Sequence, residues 1–311
     1  MRRGLLRPAL LAALALAALA GCGAGAGDAP DAIRLTVTRD FGARDVGTLQ
    51  DPEVSGADTV MRLLQRNLRV TTRYGGGFVQ SIAGVTGGRR GGRPVDWFYY
   101  VNGVEAERGA TAVRVRPGDR VWWDHRDWGA TLHVPAVVGS FPEPFVHGIG
   151  GKRLPVRVEC ADPAGAACTA VADRLVDRGV IAARARLGGV GALESLRVLV
   201  GPWPALRRFD DAAQRVDRGP ELSGVFARFD RSGRTLTVLD ARGRPARRLG
   251  AGSGLVAATR VADRRPVWFV TGTDAAGVES AARALDESAL TERYALAIAG
   301  DRAVRVPEGA R

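Results

Sequence analysis

From residue 31 to residue 135 the apolar positions alternate more often than they recur in threes and fours. In "AIRLTVTRD", Ile33, Leu35 and Val37 fall on one side of an extended segment, because successive side chains of a strand point to opposite faces. "SGADTVMRLLQRNL" changes period. Val60, Leu63, Leu64 and Leu68 line one side of a helix there, with Ser55 or Asp58 placed to cap it. Alternation returns in "GGFVQSIAGV", "DWFYYVNG" and "TAVRVRPGDRVWWDHRDW". In the last of these Val113 and Val115 alternate with arginines, and Pro117-Gly118 favours a tight turn. Asn102-Gly103 predicts a hairpin. The pattern predicts one helix on a mixed four- or five-stranded sheet, a β-grasp-like α+β arrangement.

Residues 152–311 follow a different rhythm. "LPVRVEC", "AACTAVADRLVDRG" and "VIAARARL" read as strand, helix and strand. "RVLVGPW", "PALRRFDDAAQRVDRG" and "SGVFARFD" repeat that order, as do "PVWFVTGT", "DAAGVESAARALDES" and "ERYALAIAGD". These units predict an α/β domain with parallel neighbours, plus a hairpin in "GVFARFDRSGRTLTVLDARG". Between the two regions, residues 136–151 lose periodicity and gather Pro and Gly, the composition of a linker.

The start of the chain changes the setting. Residues 1–21 carry Arg2, Arg3 and Arg7, then an apolar run from Pro8 to Ala20, which is the form of a signal peptide. Leu19-Ala20-Gly21-Cys22 resembles a bacterial lipobox, so Cys22 is expected to carry a lipid and residues 22–30 to form a flexible tether. The expected location is the outer face of the cytoplasmic membrane. Removing residues 1–21 takes three arginines from a net charge of +12 and leaves +9. Lys152 is the single lysine among 45 basic residues, a bias that GC-rich codons produce and therefore weak support for nucleic-acid binding. The excess is uneven, with 15 arginines against 13 acids in residues 31–150 and 27 basic residues against 19 acids in residues 151–311. It is densest from Arg228 to Arg248. Outside the cell, lipid headgroups and wall polymers are the anionic neighbours. Once Cys22 is assigned, Cys160 and Cys168 remain as an even pair in an oxidising compartment, and a structural disulfide is expected.

Catalytic patterns are scarce. "TGTDAAGVE" opens a helix after a strand, but Val278 and Glu279 stand where a Walker A loop needs Lys and Ser/Thr, and Asp274 reads as a helix cap. No G-x-S-x-G occurs, and no histidine follows His147. The pairs Asp210-Asp211 and Asp286-Glu287 read as solvated helix-face charges. His125 with Asp124 and Asp127 in "DHRD" is divided between the two faces of one strand, which argues against a metal site. The reading is of a protein that is not an enzyme, without cofactor or metal.

The distinctive chemistry is aromatic. Trp97 and Tyr99 point one way along their strand, Phe98 and Tyr100 the other, and Trp122 and Trp123 divide in the same manner. One helix covers one face only, so the second face needs a partner: the second domain, a flat ligand or another protein. The run "DWFYYVNGVEAERGA" followed by "VRVRPGDRVWWDHRDW" resembles the family of the C-terminal β-domain of transcobalamin and intrinsic factor. That domain is β-grasp-like, of the domain-of-unknown-function 4430 type, and occurs in bacterial surface lipoproteins. The resemblance covers about residues 33–128. It implies capture of a corrinoid such as cobalamin, or of another small ligand, beside a membrane transporter. The helical barrel that covers the other side of cobalamin in the eukaryotic carriers has no counterpart in this chain. Parity assigns Trp123 to the core with Val121. Trp122 and Trp128 then form the expected platform, with Tyr99 or Tyr100 beside them and Asn102 donating at the rim. The alternative is an interaction module that docks envelope proteins or wall polymers.

Overall fold

The computed structural model describes residues 32–50, 52–56, 58–189 and 194–309. The expected signal peptide, the lipidation site Cys22 and the tether lie outside the described residues. The architecture is mixed α+β.

In the first region β1 (Arg34–Arg39) and β2 (Arg44–Leu49) form an antiparallel pair. Helix α1 (Val60–Asn67) follows, then a small antiparallel sheet of β3 (Val70–Arg73), β4 (Phe78–Ile82) and β5 (Val85–Thr86). Next come β6 (Gly88–Arg90), β7 (Arg93–Val101), β8 (Val104–Glu105) and β9 (Arg120–Asp127). The main sheet has the order β2-β1-β9-β7-β6, with β8 added to β7. β1 and β9 run parallel at its centre, and its other pairings are antiparallel.

Helix α1 buries Val60, Met61, Leu63 and Leu64. Its cap is Thr59, whose hydroxyl accepts the Arg62 N–H at 3.3 Å, and not Ser55 or Asp58. Asp58 stands one residue too early, and its carboxylate accepts the Ser55 N–H at 2.7 Å and holds Arg66 at 3.2 Å. The strand expected through Val113 and Val115 begins only at Arg120. Both valines still pack half-buried against the helix-side cluster, and Arg114 bridges back to Thr59. Asn102 and Gly103 have φ of 53° and 74°, the left-handed pair that a tight hairpin between twisted strands requires.

The second region contains β10 (Val156–Cys160), α2 (Ala166–Val176), β11 (Ala182–Arg186) and β12 (Leu196–Pro202). Three short helices follow, α3 (Trp203–Phe209), α4 (Asp211–Asp217) and α5 (Pro220–Ser223). A three-stranded antiparallel sheet is made by β13 (Ala227–Phe229), β14 (Leu236–Leu239) and β15 (Pro245–Leu249). β16 (Ser253–Thr259), β17 (Val267–Gly272), α6 (Ala275–Arg283), α7 (Glu287–Leu290), β18 (Ala295–Ala299) and β19 (Arg302–Val306) complete the chain. The large sheet has the order β11-β10-β12-β17-β16-β18-β19.

Of the three expected β-α-β units, the first pairs its strands directly, β10 with β11 in parallel. The other two depart from the expectation. β12 and β13 belong to different sheets, and β16 lies between β17 and β18, antiparallel to both. Periodicity identifies strands but is silent about which strand intervenes between two others. Asp274 caps α6 as expected, accepting the Gly277 N–H at 2.9 Å. Asp210 and Asp286 are also caps, of α4 and α7, which corrects their reading as solvated face charges. Asp210 is buried and holds Arg197 at 2.7 Å.

Residues 136–151 are packed, contrary to their reading as a linker. Val137, Val138, Phe141 and Phe145 are buried, and the Phe141 and Phe145 rings lie 6.0 and 5.0 Å from that of Trp268 on β17. The segment therefore straps the first region to the second. Cys160 and Cys168 are joined by a disulfide that ties the end of β10 to the first turn of α2.

Candidate functional site

The two faces of the first sheet separate as strand parity requires. Trp97, Tyr99 and Trp123 join Leu35, Val37, Leu63 and Leu64 in the cluster beneath α1. Tyr99 and Trp123 stack at 4.7 Å, and the Tyr99 hydroxyl donates to the Arg108 carbonyl. Burial pushes the Tyr99 phenol up to about 12, which keeps it a neutral donor. Trp123 is thus a core residue as expected, whereas Tyr99 belongs to the same core and to no ligand platform.

The opposite face carries Tyr100, Trp122, Asp124 and Arg126, and the second region covers it. Tyr100 is 0% and Trp122 2% exposed. Both rings meet Tyr294, at 5.8 and 5.4 Å, and Tyr294 and Phe226 each lie 5.1 Å from Phe41. One apolar cluster therefore runs from Phe41, Tyr100 and Trp122 into Trp203, Phe226 and Phe269. Gly139 sits where a Cβ would come within 2.7 Å of both the Trp122 ring and the Arg293 backbone, so the strap can press this close only with glycine there.

A chain of polar groups runs through this contact. The Trp122 indole N–H donates to the Thr38 hydroxyl at 2.8 Å, and Thr38 donates to Asp124 Oδ1 at 2.6 Å. Asp124 also accepts the Phe41 and Gly42 N–H groups at 3.0 Å each and the Tyr294 hydroxyl at 2.9 Å. Tyr100 donates to Tyr294 at 3.3 Å. Burial raises the Asp124 carboxyl above its ordinary range, against the pull of the donors around it. Beside it the buried Arg126 guanidinium lies 3.7 Å over the Phe98 ring. Arg126 donates to the carbonyls of Thr131 and Leu132 at 3.1 and 2.7 Å and faces Glu105 at 3.5 Å. Burial raises the Glu105 carboxyl, while Arg126 and His133 pull it down.

These positions correct the expected platform. Tyr100 and Trp122 are closed in, and Trp128, 37% exposed, stands beyond the end of β9 and does not share their surface. Asn102 is buried and acts as a staple. Its amide donates to Asp119 and to the Gly148 carbonyl, and its oxygen accepts the Arg120 N–H, all at 2.9 Å. Tyr294 and Arg126 were missed as site residues. Parity already places Arg126 on the Trp122 face; nothing local in "ERYALAIAG" marks Tyr294.

The edges of the contact are ionic. Glu287, preceding residues of the second region that reach the first sheet, meets Arg34 at 3.0 Å, Arg120 at 2.8 Å and Arg178 at 3.1 Å. Burial opposes its ionisation, but Arg120 and Arg34 hold its carboxyl below the usual glutamate range. Cavities at this boundary are small, about 140 Å³ beside Arg34, Arg120 and Trp122 and about 250 Å³ between Asp40, Arg90 and Arg244. A shallow groove of about 400 Å³ lies between Glu105, His133, Leu222 and Arg260. Farther off, a groove of about 680 Å³ in the second region contains Arg157, Glu159, Arg197 and Arg265. Several of its charges are matched within it, since Arg197 holds Glu159 through two bonds of 2.9 and 2.8 Å and Arg265 reaches Glu194 at 2.7 Å.

Among the described residues no group of three or more His, Cys, Asp or Glu side chains could hold a metal. None of their helices is long and apolar enough to cross a membrane. Residues 57–126 match the model of a family described as a domain of unknown function, DUF4430. The match spans α1 through most of β9, the part that carries both aromatic strands. No curated protein matches the chain. A crystal structure from Ruminococcus gnavus ATCC 29149, described as that of "a putative metal binding protein", aligns with 31% of this chain and 97% of its own. The identity is 15% and the TM-score 0.26, a likeness too weak to decide anything about this chain.

Proposed function

We propose that the chain is an exported, lipid-anchored binding protein without catalytic activity, and that it docks envelope proteins or wall polymers through its outer surface. The observation that carries this reading is the closed aromatic face: Tyr100 and Trp122 are packed against Tyr294, so the surface best suited to a flat ligand holds the molecule together instead. The parallel β1–β9 pair with α1 across one face supports a β-grasp-like first domain. Buried ionisable groups with shifted pKa values often mark active sites. Three of them have structural partners: Asp124 its four donors, Glu105 the Arg126 guanidinium, and Glu143 the His147 ring. Sheets of α/β type receive ligands where strand order reverses, which in this chain is between β10 and β12. That crevice is narrow at Gly201, where a Cβ would fall 2.7 Å from the Ala161 side chain, and the Cys160–Cys168 disulfide ties the adjoining loop.

Corrinoid capture beside a transporter, the role implied by the transcobalamin-like motifs, requires the two regions to part. Equilibrium dialysis of cyanocobalamin against the full chain distinguishes the readings. No saturable binding is expected up to high micromolar concentration, and binding that Trp122→Ala abolishes would overturn the outer-surface reading. The anchor is tested by fractionation. Cys22→Ala is expected to leave the membrane fraction or to remain unprocessed, because one acylated cysteine is the proposed attachment. It should stay with the wall until salt releases it. Escape of this variant into low-salt medium would sink the envelope-binding role.

A further inference from the structure

The three-stranded sheet β13–β15 has one buried and one open face. Ala227, Phe229, Leu236, Val238 and Leu249 face the core that Trp203 shares, with the Phe229 and Trp203 rings stacked at 4.6 Å. Parity turns Arg228, Thr237 and Arg248 outward, and the register sets them side by side, Arg228 opposite Thr237 and Thr237 opposite Arg248. Two arginines thus flank a threonine across about 10 Å of sheet, two strand spacings. The turn at the end of β13 adds Arg231 and Arg234, both exposed. None of these four guanidiniums has a carboxylate partner among the described residues, while the neighbouring Arg244 and Arg247 are held by Asp240 and Glu308.

Charges of one sign gathered on an open face sum to a positive potential that attracts anions. Residues 228–248 hold seven arginines against two aspartates, a net +5. With residues 1–21 removed the whole chain carries +9, so this one hairpin region supplies more than half of the excess. Codon bias accounts for arginine in place of lysine, but not for arginines gathered without acids on one open face.

We propose that the outer face of β13–β15 binds an anionic wall polymer with repeating phosphodiester groups. This inference rests on the envelope-binding reading above. Position favours a polymer over the bilayer. The described chain starts at residue 32, at the Arg34 end of β1. The basic sheet approaches the other end of β1, where Asp40 and Phe41 line one cavity with Asp240, Ala241 and Arg244. The basic sheet thus lies at the end of β1 opposite to the one where the chain continues toward the proposed anchor. Guanidiniums suit phosphate oxygens through paired N–H donors, and Thr237 between them adds a hydroxyl.

The test uses the processed chain, residues 22–311, carrying Cys22→Ser so that neither lipid nor signal segment contributes, with poly(glycerol phosphate) as the probe and phosphatidylglycerol vesicles as a second arm. The chain is compared with a triple variant, Arg228→Gln, Arg234→Gln and Arg248→Gln, and with a control of equal charge change, Arg62→Gln, Arg69→Gln and Arg73→Gln. All six side chains are exposed or half-exposed, so thermal melting is expected to be unchanged and is recorded for each. Polymer affinity at low salt should fall about tenfold or more in the first triple and much less in the control, and added salt should erase the difference. Equal losses in the two triples, no polymer binding by the parent, or binding to vesicles in preference to polymer would each overturn the proposal. Salt-sensitive retention of the Cys22→Ala protein in the wall, unchanged by the first triple, would leave the envelope-binding role standing and remove this surface from it.

Discussion

The two faces of the first sheet carry almost the same inventory of aromatic rings and are built on opposite principles. Under α1, Trp97, Tyr99 and Trp123 meet aliphatic side chains contributed within about ninety residues of one another. On the far face, Tyr100 and Trp122 meet Tyr294, almost two hundred residues later in the chain, and a buried carboxylate and guanidinium lie among the rings. Local packing is indifferent to small rotations of its apolar members. A long-range contact needs direction, and Asp124 with four donors supplies it, since those bonds form only when β1, β9 and Tyr294 are in register. The comparison teaches that an aromatic strand face is not evidence of a ligand until the rest of the chain has been placed.

The largest effects should come from the adjacent tryptophans. Trp123→Ala and Trp122→Ala are each expected to cost about 3–5 kcal/mol, the range for truncating a buried aromatic. Their character should differ. In urea, Trp123→Ala should weaken the first region with the transition still single, whereas Trp122→Ala should divide unfolding into two transitions as the regions uncouple. Identical single transitions for both would mean that the two faces behave as one core.

Asp124→Ala comes next, at about 3 kcal/mol, because four donors lose their acceptor in a buried site. Asp124→Asn should recover little, since an amide oxygen replaces only one of the two carboxylate oxygens. Chemical denaturation that finds the asparagine variant as stable as the parent would show that the carboxyl is not acting as an anion in the folded protein.

The smallest effect concerns the rim. The carboxyl of Glu287 is held below its unfolded value by Arg120 and Arg34, so its contribution is complete above about pH 4.3 and is lost as pH falls through the lower folded pKa. Asp124 has the opposite sign: its raised pKa makes the folded protein bind the proton more tightly, and stability declines as pH rises through that window. Glu287→Gln should therefore cost about 1 kcal/mol at neutral pH and remove the acid-side loss. A stability profile between pH 3 and 5 that does not change on this substitution would exclude Glu287 from joining the regions.

Much of the first sheet could be read directly. Alternation separates Trp97, Tyr99 and Trp123 from Phe98, Tyr100 and Trp122, and the folded chain keeps that division, because parity along a strand depends on backbone geometry alone. The helix of residues 60–67 and the hairpin at Asn102-Gly103 were legible for the same reason, each resting on neighbours within a few residues. The candidate site was less so. Trp122, Tyr100 and Asn102 read as ligand contacts from the sequence, but their roles depend on Tyr294, Gly139 and Gly148, which no local period connects to them. The strap of residues 136–151 was misread because Pro and Gly mark the absence of helix or strand, and say nothing about whether the segment is buried.

By itself the sequence determined which side chains share a strand face, and that Cys160 and Cys168 make an even pair. These follow from the fixed periods of backbone structure and from counting. The tertiary structure alone decided that β16 inserts between β17 and β18, that the second region covers Trp122, and that Arg228 and Arg248 stand on an open sheet without a carboxylate partner among the described residues. Such outcomes depend on competition among distant surfaces for burial, and the hydrophobic effect that settles it has no direction along the chain.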